Sequence, residues 1–506
     1  MKIKSVGIRG FRGYEAPINV EFSDLLVLVG KNDIGKSTII EALDIFFNDG
    51  KGCVKIDKDD VNKKCLLEGD SCIEIAVEFD ELPSSIVIDS TNETSLANEY
   101  LLTASGTLQV IKRYPNAGKE KVFIKAFHPT APGCRDLLLK KNGDLKKILE
   151  DQSLECSDKT KNSELRKAIW QGQSNLELKD CEIEVAKIDA KNIWEQLKRY
   201  MPLYTLFQSD RKNCDGDSEV QDPMRLAVKE ILGDAKIQSD LAAVADTVKS
   251  RLDEVASRTL GKLSEMNPDI ASSLTPQIPD SATLKWNDVF KSVAIAGDDD
   301  IPINKRGSGV KRLILISFFR AEAERRQEEI GLPNVVYAIE EPETSQHPEH
   351  QRALIDALIT LSKTDHTQVI LTTHSPEIVK RLSFDNILLI AGREPGKIYK
   401  VQKGELPYPS LNEVNYAAFD EPSFEYHNEL YGYIEAVGNL TSYKAGKPTR
   451  AYNRLNKGAT IQEQIVLSVY IRHQIHHPEN ETNPRFTSEE LRKSIELMRS
   501  FIQANP

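Results

Sequence analysis

The sequence has few cysteines and no apolar run long enough to cross a membrane. Its seven cysteines are scattered over 506 residues without a C-x-x-C pair, which argues against a disulfide framework and against a zinc site or zinc hook. Residues 1–8 alternate like a strand and lack the long apolar core of a signal peptide. We therefore expect reduced thiols, a cytoplasmic location and no membrane partner.

The sequence also lacks a net positive charge, a low-complexity tract and an internal repeat. The formal net charge is −11 at pH 7, so any contact with nucleic acid would need a local basic patch. Hydrophobic residues make up 40% of the chain and charged residues 28%. A chain of this length and composition can bury a large core and form more than one domain.

Residues 30–38 read G-K-N-D-I-G-K-S-T, after an apolar run and before a helix-like segment. This order of strand, loop and helix suits phosphate binding, because the strand fixes the loop and the backbone N–H groups face the anion. Gly30 and Gly35 allow close approach, Lys36 would reach the β- and γ-phosphates, and the Ser37 hydroxyl would hold Mg²⁺. The alternative is a glycine-bracketed turn with a surface lysine.

A second glycine-containing turn, residues 304–312, precedes an amphipathic helix-like segment. Its Gly-Ser-Gly step would point free N–H groups and the Ser308 hydroxyl at a second anion, with Gly309 beside it. A flexible turn with a serine N-cap is the alternative for this segment.

Carboxylates and one histidine follow two buried-strand runs. Residues 334–339 are followed by Glu340, Glu341 and Glu343, and residues 368–373 are followed by His374. Because ligands bind at the carboxyl ends of parallel strands, one carboxylate there can hold Mg²⁺ and a second can orient or deprotonate water. His374 would lie near the γ-phosphate. The alternatives are an acidic solvated loop and a structural histidine.

Together these motifs resemble the ABC-type ATPases of the SMC, RecF and OLD group, over roughly residues 1–50 and 280–400. The resemblance implies hydrolysis of ATP with Mg²⁺, with Glu340 as metal ligand and Glu341 and His374 in the catalytic machinery. Asn32 and Thr38 join the nucleotide contacts. The implied motifs are Walker A at 30–38, the signature at 306–311, Walker B at 339–341, the D-loop region at 346–350 and the switch histidine at 374.

The resemblance also implies a homodimer or higher homo-oligomer, in which Ser308 and Gly309 of one chain close on ATP held by Lys36 of another. Two departures stand out. Glu340 occupies the usual Walker B aspartate position, and no glutamine clearly marks the Q-loop, for which Gln208 is the weak candidate.

Residues 386–392 form an apolar strand without the acidic step of a Toprim nuclease. A head without Toprim or long coiled coil is similar to the ATPase subunits of anti-phage systems such as Septu and some retron modules. We therefore expect a regulatory ATPase that handles nucleic acid and works with a separate nuclease. A DNA-repair ATPase of RecF or SMC type is the competing interpretation.

Arg472 and His477 lie in a segment that holds three of the chain's nine histidines. Their R-x-x-x-x-H spacing resembles that of HEPN ribonucleases, which would make the chain a self-contained ribonuclease regulated by its ATPase head. Structural or partner-docking roles are the favoured interpretation, because basic side chains suit a helix C-terminus and proline ends the helix. A metal site with Glu479 and Glu481 is a further option.

The sequence thus predicts an α/β fold, an ABC-type P-loop ATPase head with a helical insertion and a mostly helical C-terminal domain. The predicted division places the head in residues 1–130 and 280–410, the insertion in 131–279 and the last domain in 411–506. Helices are expected at 424–436, 461–477 and 488–502 in that last domain.

Overall fold

Two six-stranded sheets form the framework of the chain, here in a computed structural model. The residues described are 1–50, 52–88, 93–185, 191–208, 228–250 except 229, 235 and 248, then 319, 334–343, 348–394, 397–400, 406, 410–456 and 459–505. The strands are β1 (Lys2–Arg9), β2 (Ile18–Glu21), β3 (Leu25–Val29), β4 (Cys72–Asp80), β5 (Ile86–Val87), β6 (Glu93–Thr94), β7 (Leu108–Pro115), β8 (Lys121–Pro129), β9 (Leu178–Glu184), β10 (Leu203–Phe207), β11 (Val335–Glu340), β12 (Thr367–Thr373), β13 (Ile387–Ile390), β14 (Ile398–Lys400), β15 (Thr449–Asn456) and β16 (Ala459–Val466).

The helices lie around and between these sheets. They are α1 (Lys36–Asn48), α2 (Lys63–Leu67), α3 (Asn142–Asp151), α4 (Asn162–Gln171), α5 (Lys191–Leu197), α6 (Pro348–Leu361), α7 (Pro376–Val379), α8 (Leu411–Phe419), α9 (Phe424–Ala436), α10 (Leu440–Lys444), α11 (Leu467–His476) and α12 (Ser488–Ala504). Within the described ranges, no helix combines the length and apolar character needed to cross a membrane. Six of the seven cysteines are described, and none of these six forms a disulfide.

The first sheet is antiparallel, in the order β2-β1-β4-β7-β8-β9. Every second residue of β4, from Ile73 to Phe79, is buried, as expected for a strand with one face on the core. β1 lies inside the sheet, with Val6 opposite Val20 of β2 on one side and Val77 of β4 on the other.

The second sheet is parallel except at one edge, in the order β10-β11-β12-β3-β13-β14, where β14 is antiparallel. All residues of β3 and β12 are buried, as expected for strands covered on both faces. Because parallel strands end at the same edge, the segments that follow β3, β10, β11 and β12 meet there.

Helix α1 packs between the two sheets and is buried from Ile39 to Phe46. On β3, Leu26 and Leu28 face the core shared with the antiparallel sheet, whereas Val27 belongs to the core with α6 and α7. At the far end of α1, the buried Lys112 ammonium of β7 donates to the Phe46 carbonyl and to Asp49. Burial lowers the pKa of Lys112. This contact anchors the helix that begins at the phosphate loop.

The chain after residue 410 forms helices α8 to α12 and a hairpin of β15 and β16 around a separate apolar cluster. The helices predicted at 424–436 and 488–502 are confirmed as α9 and α12. The helix predicted at 461–477 is correct only from Leu467, because the preceding residues pair with β15 as β16. The division into four domains stays a prediction, although β9 and β10 of the expected insertion add a strand to each sheet.

Candidate nucleotide site

The loop between β3 and α1 has the geometry of a phosphate loop. Gly35 precedes α1 with φ of 113°, which favours glycine, and a Cβ there would lie 2.8 Å from the Tyr14 hydroxyl oxygen. A Cβ at Gly30 would lie 2.5 Å from the Ile390 carbonyl oxygen. The Tyr14 hydroxyl donates to the Gly35 carbonyl over 3.1 Å. The Tyr14 side chain and the Ile390 carbonyl therefore pack against the loop, and the amino end of α1 is free of a side-chain cap.

Lys36 opens α1 and is 3% exposed. Its ammonium donates to the carbonyls of Gly30 and Lys31, over 2.9 and 2.8 Å. Burial lowers the pKa of Lys36, against the opposing field of Glu341 and other nearby carboxylates. Ser37 and Thr38 follow in the first helical turn and are half-buried, while Asn32 is exposed on the loop.

Glu341 connects the phosphate loop to the end of β12. It follows the last residue of β11 with φ of 39°, and its N–H donates to the Thr372 carbonyl over 3.2 Å. One carboxylate oxygen lies 3.8 Å from Lys36 Nζ, and the other lies 3.4 Å from His374 Nδ1. The three side chains therefore meet at the carboxyl edge of the parallel sheet.

Glu340 ends β11 opposite Thr372 of β12 and is half-buried. Its negative charge, with those of Glu341 and Glu343, opposes the lowering of the Lys36 pKa by burial. Within the described residues, no cluster of three or more histidine, cysteine or acidic side chains could hold a metal ion by itself.

Gln208 follows β10, the strand next to β11. Its side-chain amide donates to Glu41 over 3.3 Å, and Glu41 is 1% exposed on α1. Glu41 also pairs with Arg12, whose Nε donates to Asp60 over 2.8 Å. The weak Q-loop candidate thus lies at the same sheet edge as the acidic residues.

A cavity of about 490 Å³ opens beside the phosphate loop. Arg12 and Arg393 line it, together with Asn62 and Lys64. The Arg393 guanidinium donates to the loop carbonyls of Asp33 and Ile34. Arg393 therefore lies between this cavity and the phosphate loop.

The described sheet edge lies within a stretch that matches a known family. The family described as "AAA ATPase domain" matches residues 1–379. The chain belongs to this family. Its fold class is accordingly that predicted from the sequence, an α/β ATPase head with a phosphate loop.

This AAA ATPase is also similar to three solved SMC heads. "Crystal structure of the SmcHead bound to the C-winged helix domain of ScpA" is 14% identical with a TM-score of 0.33, over 77% of this chain and 93% of that one. "SMC head domain from Thermotoga maritima" is 12% identical with a TM-score of 0.32, over 80% of this chain and 100% of that one. The third is "Crystal structure of the Smc head domain with an extended coiled coil bound to the C-terminal domain of ScpA derived from Pyrococcus furiosus". It is 13% identical with a TM-score of 0.34, over 76% of this chain and 92% of that one. No curated protein matches the chain.

Two predicted site residues of the AAA ATPase, Ser308 and Gly309, lie outside the described residues, and their role stays a prediction. The same holds for residues 346 and 347 of the expected D-loop region, whereas residues 348–350 begin α6. Gly30, Gly35, Lys36, Glu340, Glu341 and His374 are all described and lie at one edge of the sheet.

Arg472 and His477 make separate contacts. Arg472 stacks over the Tyr431 ring at 4.2 Å and lies 3.3 Å from the Glu435 carboxylate, both on α9. His477 caps α11 and its Nδ1 lies 3.1 Å from Glu479. These contacts suit the structural or docking interpretation, since each side chain already interacts with its own neighbour.

No sequence motif assigns Glu343, Tyr14, Arg12 or Arg393 a role in nucleotide binding or hydrolysis. Glu343 is part of a visible acidic run, so its nearness to the site could be foreseen. Tyr14 and Arg12 lie in a turn that carries no phosphate-binding pattern, and Arg393 follows β13 without any motif. Only the strand order brings these side chains to the loop.

Proposed function

We propose that this AAA ATPase binds ATP with Mg²⁺ at the carboxyl edge of its parallel sheet and hydrolyses it. The observation that carries this proposal is the position of Glu341, 3.8 Å from Lys36 Nζ and 3.4 Å from His374 Nδ1. A phosphate-binding cation and a carboxylate that can position water are groups that phosphoryl transfer to water uses, and the His374 imidazole lies beside them.

The side chains at this edge have separate tasks. The loop N–H groups and Lys36 hold the β- and γ-phosphates, and Glu341 orients a water molecule and accepts its proton. His374 contacts the γ-phosphate from the end of β12. The Ser37 hydroxyl and the Glu340 carboxylate suit Mg²⁺, which prefers oxygen ligands and takes few from protein. When bound, Mg²⁺ neutralises charge on the phosphates.

The test is phosphate release from ATP by purified protein, with Mg²⁺ and with excess chelator. We expect Mg²⁺-dependent turnover by wild type and its loss in Glu341→Gln. Glu425→Gln, at an exposed position at the start of α9, is the matched control and should keep wild-type turnover. Turnover that is unchanged in Glu341→Gln contradicts the proposed site.

We further propose that two copies of the chain associate head to head. In this arrangement Ser308 and Gly309 of the second copy close on the nucleotide that Lys36 holds. The exposed position of Asn32 and Lys31 on the phosphate loop supports it, because a loop buried in its own chain could not be reached from another.

The biological role that we propose is regulation of a separate nuclease in anti-phage defence, with nucleic acid as a ligand. The absence of a Toprim acidic step from residues 386–392 supports this role, and β13 of this segment pairs with β3 in the parallel sheet. The contacts of Arg472 and His477 with their own neighbours favour a structural role for these side chains over the ribonuclease interpretation. Purification with neighbouring gene products, followed by mass measurement with and without ATP, tests this role. Cleavage of tRNA by the chain alone in excess chelator would favour the ribonuclease interpretation.

A further inference from the structure

Glu343 is the second acidic residue after β11 and is 4% exposed. Its Oε1 accepts two hydrogen bonds from the end of β12, from the Thr373 hydroxyl over 2.7 Å and from the His374 N–H over 2.8 Å. Its Oε2 is buried and accepts no hydrogen bond from the described residues. A buried carboxylate with one unsatisfied oxygen is costly to the folded chain, so its position calls for an explanation.

The same carboxylate lies beside the imidazole. His374 Nδ1 is 3.4 Å from Glu343 Oε1 and 3.4 Å from Glu341 Oε2. Both carboxylates therefore lie on the Nδ1 side of the ring. Nε2 is then the nitrogen that can face the nucleotide.

We propose that Glu343 is the positioning residue that fixes His374 for contact with the γ-phosphate. Glu343 holds the backbone of His374 through one hydrogen bond and the orientation of its ring through charge. It also ties the end of β12 to the turn after β11, so the imidazole and Glu341 keep a constant separation. The inference rests on the proposed ATP hydrolysis and assigns one more residue to it.

The test is a double-mutant cycle on steady-state ATP hydrolysis. Glu343→Ala should lower kcat by about 10- to 100-fold, because a displaced catalytic group costs that much, with KM for ATP within about threefold. In the His374→Ala background the same change should have little further effect, since its target is already absent. Glu343→Gln should lie between wild type and Glu343→Ala, because its carbonyl can accept both hydrogen bonds but carries no charge.

Glu377→Ala is the control, since Glu377 is an exposed acid on the neighbouring helix α7, and it should keep wild-type kcat. If the reductions in kcat caused by Glu343→Ala and His374→Ala multiply fully in the double variant, the inference is overturned. The proposed ATP hydrolysis is unaffected by that result. A wild type that binds but does not hydrolyse ATP overturns the proposed function, and this inference with it. Should Glu343→Ala not fold, Glu343→Gln and His374→Ala carry the same comparison.

Discussion

At the scale of single residues, Lys36 and Glu341 should separate nucleotide binding from chemistry. Lys36→Ala removes the cation that faces the β- and γ-phosphates, so ATP affinity should fall by at least about tenfold. Glu341→Gln keeps the size of the side chain and should bind ATP with wild-type affinity while hydrolysis stops. Binding of a fluorescent ATP analogue and phosphate release measure the two effects. An equal loss of ATP binding in both variants would sink the role of Glu341.

The predicted site residues that the structure brings together at the sheet edge share one property. Lys36, Glu341 and His374 each follow a strand that is recognisable from an apolar run in the sequence. The carboxyl ends of parallel strands lie at the same edge of a sheet, so these residues are expected to be close together. Glu343 could not be assigned in the same way, because its partners Thr373 and His374 depend on which strand lies beside β11. Long-range strand order leaves no local pattern in the sequence.

At the scale of elements, the phosphate loop depends on Gly35. Gly35→Ala would place a Cβ 2.8 Å from the Tyr14 hydroxyl oxygen at φ of 113°, so the loop must move and ATP affinity should fall by about tenfold or more. Gly50→Ala is the matched control, since Gly50 also has a positive φ but nothing within 4 Å of its added Cβ. It should lower stability by about 1 kcal/mol and leave ATP affinity unchanged. Calorimetric titration with ATP gives both affinities, and equal losses would contradict this account of the loop.

The packing of α9 on α12 should be sensitive to acid. His427 of α9 is fully buried with Nε2 3.0 Å from the Ser494 hydroxyl, and burial lowers its pKa to about 4. Below about pH 6.5, the pKa of histidine in the unfolded chain, the unfolded state binds a proton and the folded state does not. The free energy of unfolding therefore falls as the pH drops from about 6.5 to 4. Between pH 7 and pH 5 the loss should be about 2 kcal/mol.

Hydrogen exchange of the α12 amides, corrected for the intrinsic pH dependence, measures this loss. His427→Gln can still meet the Ser494 hydroxyl but does not titrate, so its α12 amides should be less sensitive to acid. The same acid response in both proteins would assign the effect to another group.

Element prediction succeeded where one period ran through a whole segment. α12 has a capping box of Thr487 and Glu490 and a clear apolar stripe, so its position was predictable. β16 was mistaken for the first part of α11 because Ile461 and Ile465 have helical spacing and no turn residue separates the strand from the helix. The pairing with β15, a contact between separate segments, decides its structure.

At the scale of the whole molecule, the head-to-head proposal predicts dimerisation driven by ATP. Ser308→Arg in the expected signature should block it, because a long cationic side chain would occupy the space where the second copy's nucleotide closes. The Glu341→Gln variant keeps ATP bound, so mass measurement with ATP should show it as a dimer. The double variant Glu341→Gln with Ser308→Arg should remain a monomer. Mixing Ser308→Arg with Lys36→Ala should restore at most one composite site per dimer. Normal hydrolysis by Ser308→Arg would rule out the trans arrangement.

The place of β3 between β12 and β13 has a consequence for synthesis on the ribosome. Gln368 at the start of β12 donates to the Ser23 carbonyl just before β3, 345 positions away. At about 5–20 residues per second, roughly 20 to 70 s pass between translation of the two segments. During this time the five apolar residues of β3 have neither of their neighbouring strands. Nascent chains that stop before β12 should therefore expose this strand to chaperones and fail to retain ATP.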